Sequence, residues 1–309
     1  MANTIIYQAL WENKLAQRLD KPQNWKEVND VVYTDTQTYN FPLISSANEP
    51  AVATLTTTAA GRSTLTNIVP FIDVTETNQT LSIVTAEIDS VYLDYADQAQ
   101  SNYAKMAEMG TLLGKKIGER AQSISINNHA SWTNMGDAGA GAIGLASTAI
   151  TVSASNVDDI VRGVIEQIYT ANGFNIYKEN GGFIEWRPAD WTFLVSFMQA
   201  NGFNLADASL KSGGSIGVDY LGLYHYVSTA HVTSGGNFHL FAGVRGVQKF
   251  GILKSTYGRT YVNEMPTGPG NGSGASVGSL SGTQIHTRLD YGLLVPTNLL
   301  PVVYDINVV

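Results

Sequence analysis

The sequence predicts an α+β fold built around one long helix. Three observations carry this expectation. Tyr95, Ala99, Tyr103, Met106, Gly110, Leu113, Ile117, Ala121 and Ile124 recur at the 3.6-residue period of one helix face. Residues 51–88 are rich in Thr and Val and poor in charge, a composition suited to pleated strands. Residues 155–255 alternate helical and strand patterns, as a compact α+β or α/β lobe does.

Composition bounds the function classes. The 309 residues suffice for one large domain or two ordinary ones, and 44% are hydrophobic, as in globular chains. Only 14% are charged, against about 25% in ordinary soluble domains. Such a surface suits a chain that covers much of itself with neighbours. The formal net charge of -8 argues against a general nucleic-acid binder, which carries a basic patch or stripe. The chain has no cysteine, so disulfide and thiolate chemistry are absent. Its start has no signal-peptide pattern, and no stretch reaches the length of a membrane span.

The elements follow in order. Ile5 to Leu19 reads as a short amphipathic helix stopped by Pro22, and Val31 to Tyr39 as extended chain. Runs near Leu65–Val74 and Gln79–Ile88 flank the sequence TETN and predict a long hairpin or extended arm, marginal unless it lies on something else. The long helix, Tyr95 to Ile124, would span roughly 45 Å at 1.5 Å per residue. It carries Gly110, Gly114 and Gly118 on one stripe, each costing about 1 kcal/mol of propensity against alanine. The compensation expected is close approach of another backbone; the alternative is a break near Gly110 or Gly114.

Residues 131–155, including GDAGAGAIG, read as a mobile loop or linker. A helix capped by Ser155 or Asn156 then runs through Gln167. GGFIEW reads as a strand, Arg187-Pro188 as a corner, and Pro188 to Met198 as a second helix. Leu221–Ser228 and Phe238–Phe250 read as strands. Residues 266–282 form an uncharged, glycine-rich excursion. The apolar tail from Gln284 returns to the core, beside the long helix.

No catalytic, cofactor or metal motif emerges. The five histidines, His129, His225, His231, His239 and His286, lack metal-ligand spacing, although folding could gather 225, 231 and 239. There is no P-loop and no GxSxG elbow. Glu179, Glu185, Asp190 and Asp207 could supply paired carboxylates, but nothing in the sequence pairs them. Trp186, Pro188 and Trp191 are expected to anchor the strand-to-helix corner. Arg187, with its fixed fork, is a structural or intersubunit ion-pair donor.

The order of these pieces resembles the major capsid protein of tailed double-stranded DNA bacteriophages, with the HK97-type fold. The residues that carry the resemblance are YADQAQSNYAKMAEMGTLLGKKIGERAQ, EWRPADWTFL, LGLYHYVS and HTRLDYGLLVPTNLLPVVYDI, in that order. It implies an N-terminal arm over 1–33 and an extended β-rich loop over 34–88 that reaches across a neighbouring subunit. It further implies a peripheral domain with a spine helix over 89–154, an axial domain over 155–255, and return strands over 256–309. The function implied is structural: self-assembly into an icosahedral shell around phage DNA.

The partners implied are copies of the chain in pentamers and hexamers, a portal, scaffolding or cement proteins, and packaged DNA contacted non-specifically. No membrane, no cofactor and no enzymatic activity are implied; the location is the virion, assembled in the host cytoplasm. Candidate assembly contacts are Arg62, Lys105, Lys115, Lys116, Arg120 and Arg187. Residues 34–88 contain no lysine, so the lysine–asparagine cross-link of some family members is not expected. The chain reaches its arm at once, which implies a separate scaffolding protein or none. The competing assignments are an encapsulin-type compartment shell, a phage tail or tube protein, and an enzyme with an unrecognised cleft.

Overall fold

The computed structural model of the chain describes residues 21, 23–44, 76–94, 105–139, 141–201, 218–265 and 282–309. A one-turn helix α1 (Trp25–Val28) leads into β1 (Asp30–Thr34) and β2 (Thr38–Ile44). Next come β3 (Glu76–Ser82), β4 (Thr85–Asp94), the long helix α2 (Lys105–Ile126) and a 3-10 turn, Asn127–Ser131. Then follow β5 (Thr133–Asp137), β6 (Ile143–Gly144), α3 (Val157–Thr170), α4 (Phe174–Asn180), β7 (Gly182–Trp186) and α5 (Pro188–Ala200). Further on lie β8 (Val218–Tyr220), β9 (Leu223–Val227), β10 (Thr233–Ser234), β11 (Asn237–Val244) and β12 (Lys249–Leu253). β13 (Thr260–Met265), β14 (Gly282–Leu294) and β15 (Val303–Val308) complete the described elements.

The larger sheet runs β6-β5-β15-β11-β7-β9-β8, with β10 added on β11. Its middle strands are buried on both faces. Every residue of β7 is buried, which is why GFIEW reads as a continuous apolar run rather than an alternating one. α3 and α5 pack against this sheet through Ile160, Val164, Ile168, Leu194 and Met198, all fully buried. Trp132 stacks on Phe241 with ring centroids 3.9 Å apart, tying the end of α2 to β11.

The smaller sheet is organised by β14. β4 pairs along one edge over Gly282–Tyr291, while β13 and β12 share the other edge, and β1 extends it parallel to β12. α2 lies across this sheet. Leu113, Ile117, Ala121 and Ile124 are buried against Phe250, Ile252, Ile285 and Leu289, so the apolar face predicted from spacing is the face that packs. Each buried Leu or Ile contributes about 1.5–3 kcal/mol. The helix is continuous through all three glycines from Lys105 to Ile126.

Several expectations are revised. Glu76–Asn78 of TETN is not a turn but the start of β3, whose partner is β2. The run 79–88 divides at Ile83–Val84, and its second half joins β14. Residues 131–155 are no linker: β5 pairs parallel with β15, and Trp132, Met135, Ile150 and Val152 are buried. Small residues permit this, since a Cβ at Gly136 would strike the carbonyls of Thr148 and Ala146. Asn156 stands at the N-cap of α3, but its side chain makes no capping bond; its Oδ1 accepts from the Ser153 amide at 2.8 Å. The tail splits, with β14 beneath α2 and β15 between β5 and β11 in the larger sheet. The predicted Ile5–Leu19 helix, the Leu65–Val74 run, residues 95–104 and the 266–281 excursion lie outside the described residues.

Candidate assembly surfaces

Two of the predicted cations on α2 have partners within the chain. Lys116 Nζ lies 3.2 Å from Asp89 Oδ2, and Arg120 Nη2 lies 2.8 Å from Glu87 Oε1. Both acids project from the same face of β4, two residues apart, matching the helical spacing of the two bases. These exposed pairs contribute up to about 1 kcal/mol each. Lys105 is the first residue of α2, and Arg62 lies outside the described residues.

The glycine stripe faces a groove of about 410 Å³ between α2 and the chain around Tyr257–Thr260. No neighbouring backbone within the described subunit closes on it, contrary to the expectation from the stripe. The Thr260 side chain stands 3.5 Å from a Cβ built at Gly110, and a Cβ at Gly114 meets nothing within 4 Å. A Cβ at Gly118 would collide with the Gln23 carboxamide, whose Nε2 donates to the Lys115 carbonyl at 3.3 Å. The chain entering α1 therefore crosses one end of the groove, and Lys115 lines it.

The corner after β7 behaves as an anchor. Trp186 is fully buried and its Nε1 donates to His225 Nδ1 at 2.8 Å. His225 Nε2 lies 3.2 Å from the Tyr220 carbonyl, so this nitrogen carries the proton. Burial pushes the His225 imidazole down to about 4. Pro188 occupies the first turn of α5, and Trp191 is buried. Arg187 forks onto Asp190, with Nε–Oδ2 at 2.6 Å and Nη2–Oδ1 at 2.9 Å, and Nη2 also reaches the Val309 carbonyl at 3.0 Å. Its guanidinium sits 4.1 Å from the Phe238 ring centroid. These contacts give Arg187 a structural role within the chain.

Sequence reasoning missed a set of buried polar groups at the seam between the sheets. Glu185 accepts from Gln122 Nε2 of α2, and burial raises its carboxyl to about 8, partly offset by hydrogen bonds from Asn24 and Gln122. Buried Gln248 accepts from Trp132 Nε1 at 2.7 Å and Asn128 Nδ2 at 2.9 Å, and donates to Asn29 Oδ1 at 2.9 Å and the Ser125 carbonyl at 3.1 Å. His129 stacks on His239 at 4.1 Å, and His239 Nδ1 sits 2.8 Å from Asp305 Oδ2. Burial holds His129 below the usual histidine range and Asp305 above the usual carboxylate range. The one signal in sequence was a glutamate inside the apolar run GFIEW; the other partners lie scores of residues away.

The remaining candidates stay apart. His231 Nδ1 lies 3.0 Å from the His239 carbonyl, and His286 stacks on Tyr261. Among the described residues no group of three or more His, Asp or Glu could hold a metal ion. Glu179 lines an open polar cleft with Arg245 and Lys249, and Asp207 lies outside the described residues. Among the described residues no helix is long and apolar enough to cross a membrane.

No family model and no curated protein matches the sequence. Solved structures do. The chain is similar to a structure from Mycobacterium phage Che8 at 13% identity and TM-score 0.63, covering 99% of this chain and 98% of that one. The capsid structure of Cyanophage P-SCSP1u matches at 12% identity and TM-score 0.59, covering 98% and 93%. The mature capsid of bacteriophage PhiM1 matches at 11% identity and TM-score 0.60, covering 98% and 92%. The chain thus shares the mixed α+β fold of phage capsid structures from end to end.

Proposed function

We propose that the chain is a major capsid protein that self-assembles into an icosahedral shell enclosing phage double-stranded DNA. The observation that carries this is the end-to-end likeness to the Cyanophage P-SCSP1u and PhiM1 capsids, which spans 98% of this chain and more than nine-tenths of each of theirs. A match confined to one lobe would leave function open, because folds host many functions. Here nearly the whole length of the chain is matched at once. The role is structural rather than enzymatic.

Within this assignment the fold is of the HK97 type. Residues 1–33 are the N-terminal arm, 34–88 the extended loop, 89–154 the peripheral domain with α2 as spine, 155–255 the axial domain, and 256–309 the returning strands. The antiparallel pairing of β2 with β3 supports the loop assignment, because it brings residues 44 and 76 together at its base. Copies associate as pentamers and hexamers, with a portal, scaffolding or cement proteins and DNA as further partners. The protein resides in the virion and assembles in the host cytoplasm. Symmetric repetition of modest contacts stabilises such a shell.

The test is electron microscopy of the purified protein together with its solution mass. Closed icosahedral shells tens of nanometres across are expected. A monomer or small oligomer at all salt and protein concentrations, with or without the other structural proteins of the same phage, would overturn the assignment.

A further inference from the structure

The 3-10 turn Asn127–Ser131 is the link through which α2, packed on the smaller sheet, passes into β5 of the larger one. None of its residues is buried, so apolar packing does little to hold it. Two of its side chains fasten it to the rest of the subunit. Asn128 Nδ2 donates to Gln248 Oε1 at 2.9 Å. The His129 ring lies on the His239 ring of β11, with centroids 4.1 Å apart and planes 23° from parallel.

The second contact is built from groups that respond to protons. His239 is 9% exposed, and its Nδ1 lies 2.8 Å from Oδ2 of buried Asp305 on β15. His239 Nε2 and His129 Nδ1 are both buried and have no hydrogen-bond partner among the described residues. Two imidazoles thus share one carboxylate, and each keeps a ring nitrogen unpaired. A proton on such a nitrogen would be a buried donor without an acceptor. Protons on both rings would set two like charges face to face.

We propose that the His129–His239 stack is an acid-released latch: it clamps the end of α2 to the larger sheet while His129 is neutral, and the turn 127–131 lifts away when His129 takes up a proton. The groups that face the stack are few. His129 meets His239 and Asp305 from the sheet and the Asn127 backbone from its own turn. His239 meets Asp305, and its carbonyl lies 3.0 Å from His231 Nδ1. Arg187 and Asp190, which face His231, are bonded to each other and opposite in charge.

The sign follows from these neighbours. Burial and His239 disfavour a charge on His129 more than Asp305 favours it, so the docked imidazole stays below the ordinary histidine range. Once the turn lifts, the ring returns to about 6.5. The lifted state binds the extra proton, so docking weakens as pH falls below about 6.5, by up to about tenfold per pH unit. Because the turn contributes no buried residue, it can open while both cores stay folded. The latch belongs to the single subunit and stands or falls apart from the shell assignment.

Amide hydrogen exchange of the folded, unassembled chain tests it. The Trp132 amide, which donates to the His129 carbonyl at 3.0 Å, is the reporter, and residues 160–168 of α3 are the reference. After correction for the intrinsic chemical rate, exchange across 127–132 should rise about tenfold against the reference between pH 7 and pH 5. His129→Phe keeps a ring for the stack and cannot take up a proton, so that rise should vanish. His129→Gln loses the ring as well and should exchange fast at both pH values. In the unaltered chain the His129 ring, followed by NMR, should titrate below about 6.5.

Absence of the rise in the wild type, or an equal rise in His129→Phe, would overturn the latch. So would slow exchange of His129→Gln at both pH values, because the stack would then clamp nothing, and so would a His129 ring that titrates at or above about 6.5. A chain that shows the latch and forms no shell keeps this inference without the capsid assignment; shells from a chain without the latch do the reverse.

Discussion

Replacing Glu185 by glutamine should stabilise the subunit in neutral and alkaline solution. Glu185 is 1% exposed in the centre of the larger sheet, and burial raises its carboxyl from 4.5 to about 8. Between these values the folded chain keeps the proton while the unfolded chain has released it. The unfolded state binds fewer protons, so stability falls as pH rises through this window. The loss is about 3 kcal/mol by pH 7 and approaches a plateau of about 5 kcal/mol above pH 8, at 1.36 kcal/mol per pKa unit.

Glutamine has the same shape, still accepts from Gln122, and cannot ionise. The assay is urea unfolding of unassembled subunit, followed by tryptophan fluorescence from pH 5 to 9, for both proteins. Subtracting one curve from the other cancels every other titrating group. The difference should favour Glu185→Gln increasingly with pH, reaching several kcal/mol by pH 9. A difference independent of pH would refute the reasoning, because it would mean that Glu185 ionises in the folded subunit as it does in the unfolded chain.

Three further outcomes follow from neighbouring groups. His225 is held neutral down to about 4, so stability should fall as pH drops from 6.5 through 4, by about 3 kcal/mol in all; His225→Gln should flatten that acid limb in the same unfolding assay. Gln248→Leu removes the partner of the Trp132 indole, of Asn128 Nδ2 and of Asn29 Oδ1 and should lower unfolding stability by about 3 kcal/mol, with loss of amide-exchange protection across 125–132. Arg187→Lys keeps the charge but not the fork that spans Asp190 and the Val309 carbonyl. It should cost about 1–2 kcal/mol of subunit stability, read by urea denaturation, while folded subunits assemble at the wild-type concentration.

What was legible in the sequence is what local periodicity encodes. The face of α2 that packs, Leu113 through Ile124, follows from spacing alone, and the strand β7 ending at the Pro188 corner was legible from its local sequence. The errors arose where pairing is distant. β2 and β3 meet across 31 intervening residues, 45–75, and neither strand alone specifies that partner. Residues 131–155 read as a linker because small residues usually mark turns. Here they let two backbones close on Gly136, beneath a strand contributed by the last residues of the chain.

The glycine stripe predicted close approach of another backbone, and within the described subunit none makes it: Gly114 faces open space. The Gln122–Glu185 and Gln248 contacts were illegible for a different reason. Each joins residues 63 to 219 positions apart, and a polar residue announces no partner by its own pattern.

Those illegible contacts share one location. Asn24 and Asn29 come from the segment around α1, Gln122 and Ser125 from α2, Glu185 from β7 and Gln248 from the approach to β12. They join the smaller sheet and its helix to the larger sheet. An apolar seam tolerates sliding, because burial is non-directional. A buried network with directional bonds does not, since each displaced donor or acceptor is left unpaired. In a shell the angle between the two halves of every subunit sets the angle between neighbours, so small errors would accumulate around a closed surface. In the proposed shell, directional bonds at the seam would fix the angle between the two lobes, on which closure depends. It also explains how a carboxyl that lowers subunit stability at neutral pH can persist: its two amide partners come from the two segments whose placement it sets.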